Sequence, residues 1–276
     1  MSLGSAVEVM VSGGFGDLQG RRLRFLEQAA KLGPVTVLLW SDELLQSQTG
    51  KRPEFPFAER LYVLNAVRYV QRVEPLSAPM DANLLTAVRQ LRPRLWVDEE
   101  NEANAAREAF CREHGLEYCA LGDWRIAGFA PPAPMPSRPG KKKVVVTGCF
   151  DWFHSGHVRF FEEVSAYGDL YVIVGNDANI RLLKGQGHPL VGEQERRYCV
   201  ASIRFVKEGL ISSGEGWLDA DQEIRQIKPD IYAVNEDGDK GGKRDYCAAM
   251  GMEYLVLKRV PAPGLRPRSS TELRGF

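Results

Sequence analysis

The chain carries the same segment twice. Gly13-Gly14-Phe15 through Leu23-Arg24-Phe25-Leu26-Glu27 aligns with Gly148-Cys149-Phe150 through Val158-Arg159-Phe160-Phe161-Glu162 at an offset of 135. That offset also carries Gly33 onto Gly168, and Val37-Leu38-Leu39-Trp40-Ser41-Asp42 onto Val172-Ile173-Val174-Gly175-Asn176-Asp177. After one inserted residue the offset is 136. Glu59-Arg60-Leu61-Tyr62 then meets Glu195-Arg196-Arg197-Tyr198, and Arg89-Gln90-Leu91-Arg92-Pro93 meets Arg225-Gln226-Ile227-Lys228-Pro229. Gly115-Leu116-Glu117-Tyr118 meets Gly251-Met252-Glu253-Tyr254 in the same register. A register kept this long predicts an internal duplication, so one fold must accommodate both halves.

Each half alternates short apolar, β-branched runs with helical patterns. In the second half strands are expected at about 144–148, 170–175, 207–211, 231–234 and 254–257, and helices at about 156–167, 193–204, 219–227 and 243–250. Such alternation predicts an α/β protein with two Rossmann-like, doubly wound parallel-sheet domains, wound by right-handed crossovers. The expected boundaries are 1–121 for the first domain and 143–276 for the second. Residues 122–142 contain Pro131, Pro132, Pro134, Pro136 and Pro139 and read as a semi-rigid linker, its start pinned by Trp124, Ile126 and Phe129. The two copies are expected to pack as an intramolecular pseudo-dimer.

Composition narrows the partners. Thirty-six Lys and Arg balance 36 Asp and Glu, which leaves no basic footprint for nucleic acid or an anionic membrane surface. No apolar run approaches the roughly 18–20 residues of a membrane span, and no secretory leader pattern opens the sequence. Five cysteines without a C-x-x-C read as free thiols of a reducing, cytoplasmic protein.

The chemistry concentrates in Gly148-Cys149-Phe150-Asp151-Trp152-Phe153-His154-Ser155-Gly156-His157. The run Val144-Val145-Val146-Thr147 before it reads as a buried strand, and Val158, Phe161 and Val164 after it recur at helical spacing. Two histidines therefore stand at a helix entrance, where unpaired N–H groups and the helix dipole favour an anion. Gly156 lets that anion approach the backbone.

This stretch resembles the His-x-Gly-His signature of the cytidylyltransferase-like nucleotidyltransferases, in its G-x-F-D-x-x-H-x-G-H form. The tandem arrangement is similar to that of phosphoethanolamine cytidylyltransferases, although here the first copy lacks the signature. The resemblance implies transfer of CMP from CTP to a phosphorylated alcohol or sugar with release of pyrophosphate, or, as an alternative, use of ATP as in the ADP-heptose type. It implies catalytic roles for His154, His157 and Lys184, the last within Leu183-Lys184-Gly185 to Pro189. It implies nucleotide binding by Gly148, Cys149, Phe150, Asp151 and Gly156, and by Arg268, Ser269, Ser270 and Thr271, which match the family's second signature. Trp152, Asn235 and Asp237 are candidates for substrate or base contacts, and Mg²⁺ is the expected cofactor, entering with the nucleoside triphosphate. No resident metal ligands are identified.

The first copy has Gln19-Gly20-Arg21-Arg22 in place of the histidine turn and Gln48 in place of Lys184. It is expected to be catalytically silent, with Arg21-Arg22 a solvated charge pair. Glu195-Arg196 recurs as Glu59-Arg60 in that silent copy, which favours a structural ion pair for Arg196 over a ligand contact. A nucleotide-binding scaffold without turnover is the competing reading; a metal site built on His154 and His157 lacks a third ligand at suitable spacing.

Overall fold

The computed structural model describes residues 8–77, 93–103, 105–270 and 273. The chain divides into two compact units, Met1–Gly128 and Phe129–Phe276.

The first unit runs β1 (Val9–Gly13), α1 (Gly20–Ala30), β2 (Val35–Trp40), α2 (Asp42–Thr49), α3 (Phe57–Ala66), β3 (Val70–Leu76), β4 (Leu95–Glu99), α4 (Ala105–Glu113), β5 (Glu117–Leu121) and the short α5 (Asp123–Ile126). The second runs β6 (Lys143–Gly148), α6 (Ser155–Ser165), β7 (Asp169–Val174), α7 (Asp177–Lys184), α8 (Glu193–Ala201), β8 (Val206–Ile211), α9 (Asp221–Ile227), β9 (Ile231–Asn235), α10 (Lys243–Met250) and β10 (Glu253–Leu257). Among the described residues each unit holds one five-stranded sheet, ordered β3-β2-β1-β4-β5 and β8-β7-β6-β9-β10, with every pair parallel. Both are Rossmann-like sheets, and both reverse winding direction beside their first strand.

That reversal opens the site. β6 pairs with β7 along its whole length, up to Gly148↔Val174. With β9 its paired register holds only Val144↔Ile231 and Val145↔Tyr232. The remainder of β6 thus runs on beside β9 outside the ladder, which leaves a crevice at the carboxyl ends, the place where open α/β sheets take ligands. Val144, Val145 and Val146 are all fully buried, as a central parallel strand covered on both faces requires. α6 buries Val158, Phe161 and Val164 at helical spacing and so holds its entrance against the end of β6.

Three expectations change. Lys184 lies at the last position of α7, a helix the periodicity did not predict; the Asn176 side chain caps it by accepting from the Asn179 N–H at 2.8 Å. α8 ends at Ala201, short of Arg204. The proline-rich segment, expected as a semi-rigid linker pinned at its start, is also held further along. Ile126 is buried in the first unit, while Phe129 packs on Tyr198, the Met135 N–H donates to the Lys207 carbonyl, and Arg138 pairs with Asp169, all in the second. Trp124 pins nothing, being 76% exposed.

Candidate active site

Between the end of β6 and the start of α6 the backbone makes a strained turn. Phe150 and Trp152 both hold left-handed conformations, with φ of 52° at each, which costs a side-chain-bearing residue about 1–2 kcal/mol. The Phe150 ring folds back over Gly148; a β-carbon there would stand 2.8 Å from its Cζ. Gly148 therefore shapes the turn from beneath. The first unit shares the left-handed phenylalanine, with Phe15 at φ 47°, whereas Asp17, in the place of Trp152, is not left-handed.

His154 is the N-cap of α6, and its Nδ1 accepts from the Gly156 N–H at 3.0 Å. One helix-entrance N–H expected to meet an anion is thus spent on the histidine. The consequence is chemical: with Nδ1 an acceptor, the neutral ring carries its proton on Nε2, which stands 3.5 Å from Ser270 Oγ. His157 stacks on His154 with ring centroids 3.9 Å apart, and Phe153 stacks on its other side at 5.5 Å. Two protonated imidazoles would repel at this spacing. Burial, then Arg259 and Arg268, push His154 down to about 3, and burial, His154, Arg259 and Lys184 hold His157 well below the ordinary histidine range. Both rings are neutral hydrogen-bonding groups at physiological pH.

The rings face a cleft of about 300 Å³ whose lining includes His154, Gly156, His157, Asn235, Asp237 and Ser270. Phe150 and Ser269 line it as well. Other expected site residues lie elsewhere. Asp151 is buried, and its two carboxylate oxygens accept the Leu190 and Val191 N–H groups at 3.0 and 3.1 Å, which ties the loop after α7 to the turn. The Cys149 carbonyl accepts from Arg196. Arg268 is buried and lines an adjoining cavity with Gly156, Asn235 and Arg259, and its carbonyl accepts from Arg259 Nη2 at 2.5 Å. Trp152 and Lys184 do not line the cleft; Lys184 is exposed at the end of α7, and its charge is felt at His157. Thr271 lies outside the described residues.

Two cations that sequence reasoning passed over stand in the cleft wall. Arg259, just beyond β10, reaches Asp237 at 2.8 Å, and Lys243, at the start of α10, donates to the Gly238 carbonyl at 2.7 Å. Each follows the carboxyl end of a strand in sequence, and that position was the available signal. Together they put two cations in the cleft wall. For Mg²⁺, the described residues offer no group of three or more His, Cys, Asp or Glu side chains, and Asp237 is the carboxylate lining the cleft. Such a donor set fits an ion that arrives on triphosphate oxygens, keeps most of its waters and takes one carboxylate from the protein.

Arg196 is 1% exposed and has the structural role expected, but its ionic partner is Asp177 at 2.6 Å rather than the adjacent Glu195. It also donates to the Val191, Cys149 and Gly175 carbonyls. Arg60 does the same in the first unit, with Asp42 and the Phe55 and Gly14 carbonyls.

Where the second unit has its histidines, the first is closed by ions. Arg21 donates to Glu99 and Asp123, and Arg22 to Glu99 and Glu102, with Glu99 1% exposed. Arg21 is exposed and Arg22 half-buried, so the pair keeps solvent contact, and both guanidinium groups also pair with a buried carboxylate at the end of β4.

The cytidylyltransferase-like family model matches residues 145–275. Those residues belong to the cytidylyltransferase-like family. The family segment spans the histidine turn, the crevice and the Arg268–Ser270 wall, and it stops short of the first unit. The chain is similar to the bifunctional protein HldE of Desulfatibacillum aliphaticivorans, 37% identical over 140 residues that cover 49% of this chain and 27% of that protein. It is similar to HldE of Geobacter sulfurreducens, 43% identical over 117 residues that cover 42% and 22%. It is also similar to the FAD synthase of Ferroglobus placidus, 41% identical over 97 residues that cover 35% and 60%. The chain thus spans about a quarter of the length of these two HldE proteins and 60% of that FAD synthase.

Proposed function

We propose that the second unit is a nucleotidyltransferase that moves a nucleoside monophosphate from a nucleoside triphosphate to a phosphorylated alcohol or sugar. The observation that carries this is the stacked, neutral pair His154 and His157 at the entrance of α6, facing a cleft walled by Arg259 and Lys243. An acceptor phosphate oxygen forms a bond to the α-phosphorus, and the bond from that phosphorus to the bridging oxygen breaks, so pyrophosphate leaves. The nucleophile arrives as an anion, so the site needs no base; it positions the two phosphates and stabilises the charge between them. His154 donates from Nε2 to a phosphate oxygen, and His157 acts beside it. Ser270 and the cations hold the departing phosphates, with Lys184 brought in from the end of α7. Mg²⁺ bound to the triphosphate, with Asp237 as its protein ligand, would offset the remaining negative charge.

ATP is the donor we favour over CTP. FAD contains an adenylyl group, so the similarity to an FAD synthase supports adenylyl transfer, as does the resemblance of Leu183-Lys184-Gly185 to Pro189 to the ADP-heptose type. We read the two units as copies of one ancestral domain, supported by their common strand order and by the matched bonding of Arg60 and Arg196, and the first as catalytically silent. No helix among the described residues is long and apolar enough to cross a membrane, and the balanced charge suits a small-molecule enzyme of the cytoplasm.

A thermal-shift panel of ATP, CTP, GTP and UTP with Mg²⁺ tests the reading. Ligand at about 100 times Kd adds about 2.7 kcal/mol, a rise of several degrees. The rise is expected with ATP and is expected to be lost in His157→Ala. Pyrophosphate release should fall on the order of 10²–10³-fold in His154→Ala; turnover near wild type in that variant would sink the mechanism.

A further inference from the structure

The first unit holds a larger cleft than the second, about 710 Å³, at the same carboxyl-terminal edge of its sheet. One residue of its lining differs from the second unit in a telling way. In the second unit Asp151 ties the following loop down through Leu190 and Val191. The matching position in the first unit, one residue after the left-handed Phe15, is Gly16, and a β-carbon there would meet nothing within 4 Å. With no carboxylate at that position, the turn and the loop 51–54 line an open space between them.

The lining sorts into two parts. Arg22 and Arg107 are committed to buried carboxylates, Arg22 to Glu99 and, at its rim, Glu102, and Arg107 to Asp98 at 2.8 Å. This end has no spare charge for a triphosphate. The lining also has Trp40, half-buried at the end of β2, its indole N–H donating to Ser12 Oγ at 2.8 Å so that its ring is held fixed. Lys51 and Arg52 are exposed on the lip and form no ion pair among the described residues, and Asp17 and Glu54 stand on the same rim. A fixed indole suits a flat heterocycle, carboxylates suit the hydroxyls of a ribose, and two unpaired cations suit a single phosphate. The volume is that of a small-molecule site.

We propose that this cleft is a second, non-catalytic site that binds a nucleoside monophosphate. The assignment does not depend on the second unit turning over its substrates.

The test is calorimetric titration of the full chain with AMP and with CMP. Three variants are compared with wild type: Gly16→Asp, which restores a carboxylate at the position of Asp151; Lys51→Glu with Arg52→Glu; and His154→Ala with His157→Ala. Binding of one of the two nucleotides is expected, weakened at least tenfold by each of the first two variants and kept by the third. No binding of either nucleotide, or binding abolished by the histidine variant and untouched by both first-unit variants, would overturn the proposal. Thermal unfolding of each variant is recorded alongside, and because Gly16→Asp and the lip variant act at separate points, either one that unfolds like wild type decides the matter.

Discussion

His154 does two things with its two nitrogens. Nδ1 closes the entrance of α6, and Nε2 is left as a donor at the cleft, so the cap and the reactive group are one side chain. Gly156 makes this possible, since a β-carbon there would stand 2.9 Å from His154 Cε1 and 3.0 Å from Nδ1. Gly156→Ala is expected to leave the helix intact, because alanine favours it, and to displace the ring. Turnover should fall on the order of 10²-fold with little change in melting temperature, as steady-state kinetics beside a melting curve would record. The low affinity of both rings for protons also has a stability consequence. As pH falls below the ordinary histidine value of about 6.5, the unfolded chain takes up protons that the folded chain refuses down to about 3 at His154. Stability contributed by the neutral pair is therefore complete above about pH 6.5. It declines on acidification, at about 1.4 kcal/mol per pH unit for each ring. Denaturant unfolding between pH 7 and 4 should show this slope, and His154→Gln with His157→Gln should flatten it.

At the scale of elements, a buried arginine fastens each unit. Arg196 joins α8 to the Asp177 end of α7, to the turn after β6, to the end of β7 and to the loop between α7 and α8. Removing it leaves buried carbonyls without a donor, so Arg196→Met is expected to cost about 3–5 kcal/mol, measurable by denaturant titration, and Arg60→Met about as much through the first unit. The recurrence of this residue in both halves is what the sequence alignment shows, and the inference of a structural role was available from it. Its partner was not, because Asp177 lies 19 residues away and a helix intervenes. α7 itself escaped because Asn176 starts it by a capping bond that hydrophobic periodicity does not register. Asp151 is a further case. It sits inside the signature, yet its side chain faces away from the cleft and onto backbone N–H groups about forty residues further on.

For the whole molecule, the two units present two clefts of different chemistry on the same sheet order. One is small and cationic with a neutral histidine pair; the other is larger, with its cradle filled by Arg21, Arg22 and Glu99. In the first unit Arg21 and Arg22 are already paired where the second has its histidines, and the cations that form no ion pair among the described residues of that cleft's lining are Lys51 and Arg52 at the lip. In equilibrium dialysis with a slowly hydrolysed triphosphate, the tighter site is therefore expected to be lost in His154→Ala with His157→Ala, and any weaker second one in Lys51→Glu with Arg52→Glu. The sequence by itself determined the alternation of strand and helix, the repeat, and the turn that holds His154 and His157, because each rests on neighbours a few residues apart. The tertiary structure decided which strand lies beside β6. Parallel pairing with β9 places Asn235 and Asp237 beside the histidines, and β9 in turn pairs with β10, which delivers Arg259 to the same cleft. Hydrogen bonds between backbones close these pairings, and backbone groups are alike in every residue. Which charged side chains converge at the sheet edge is therefore settled by the order of strands.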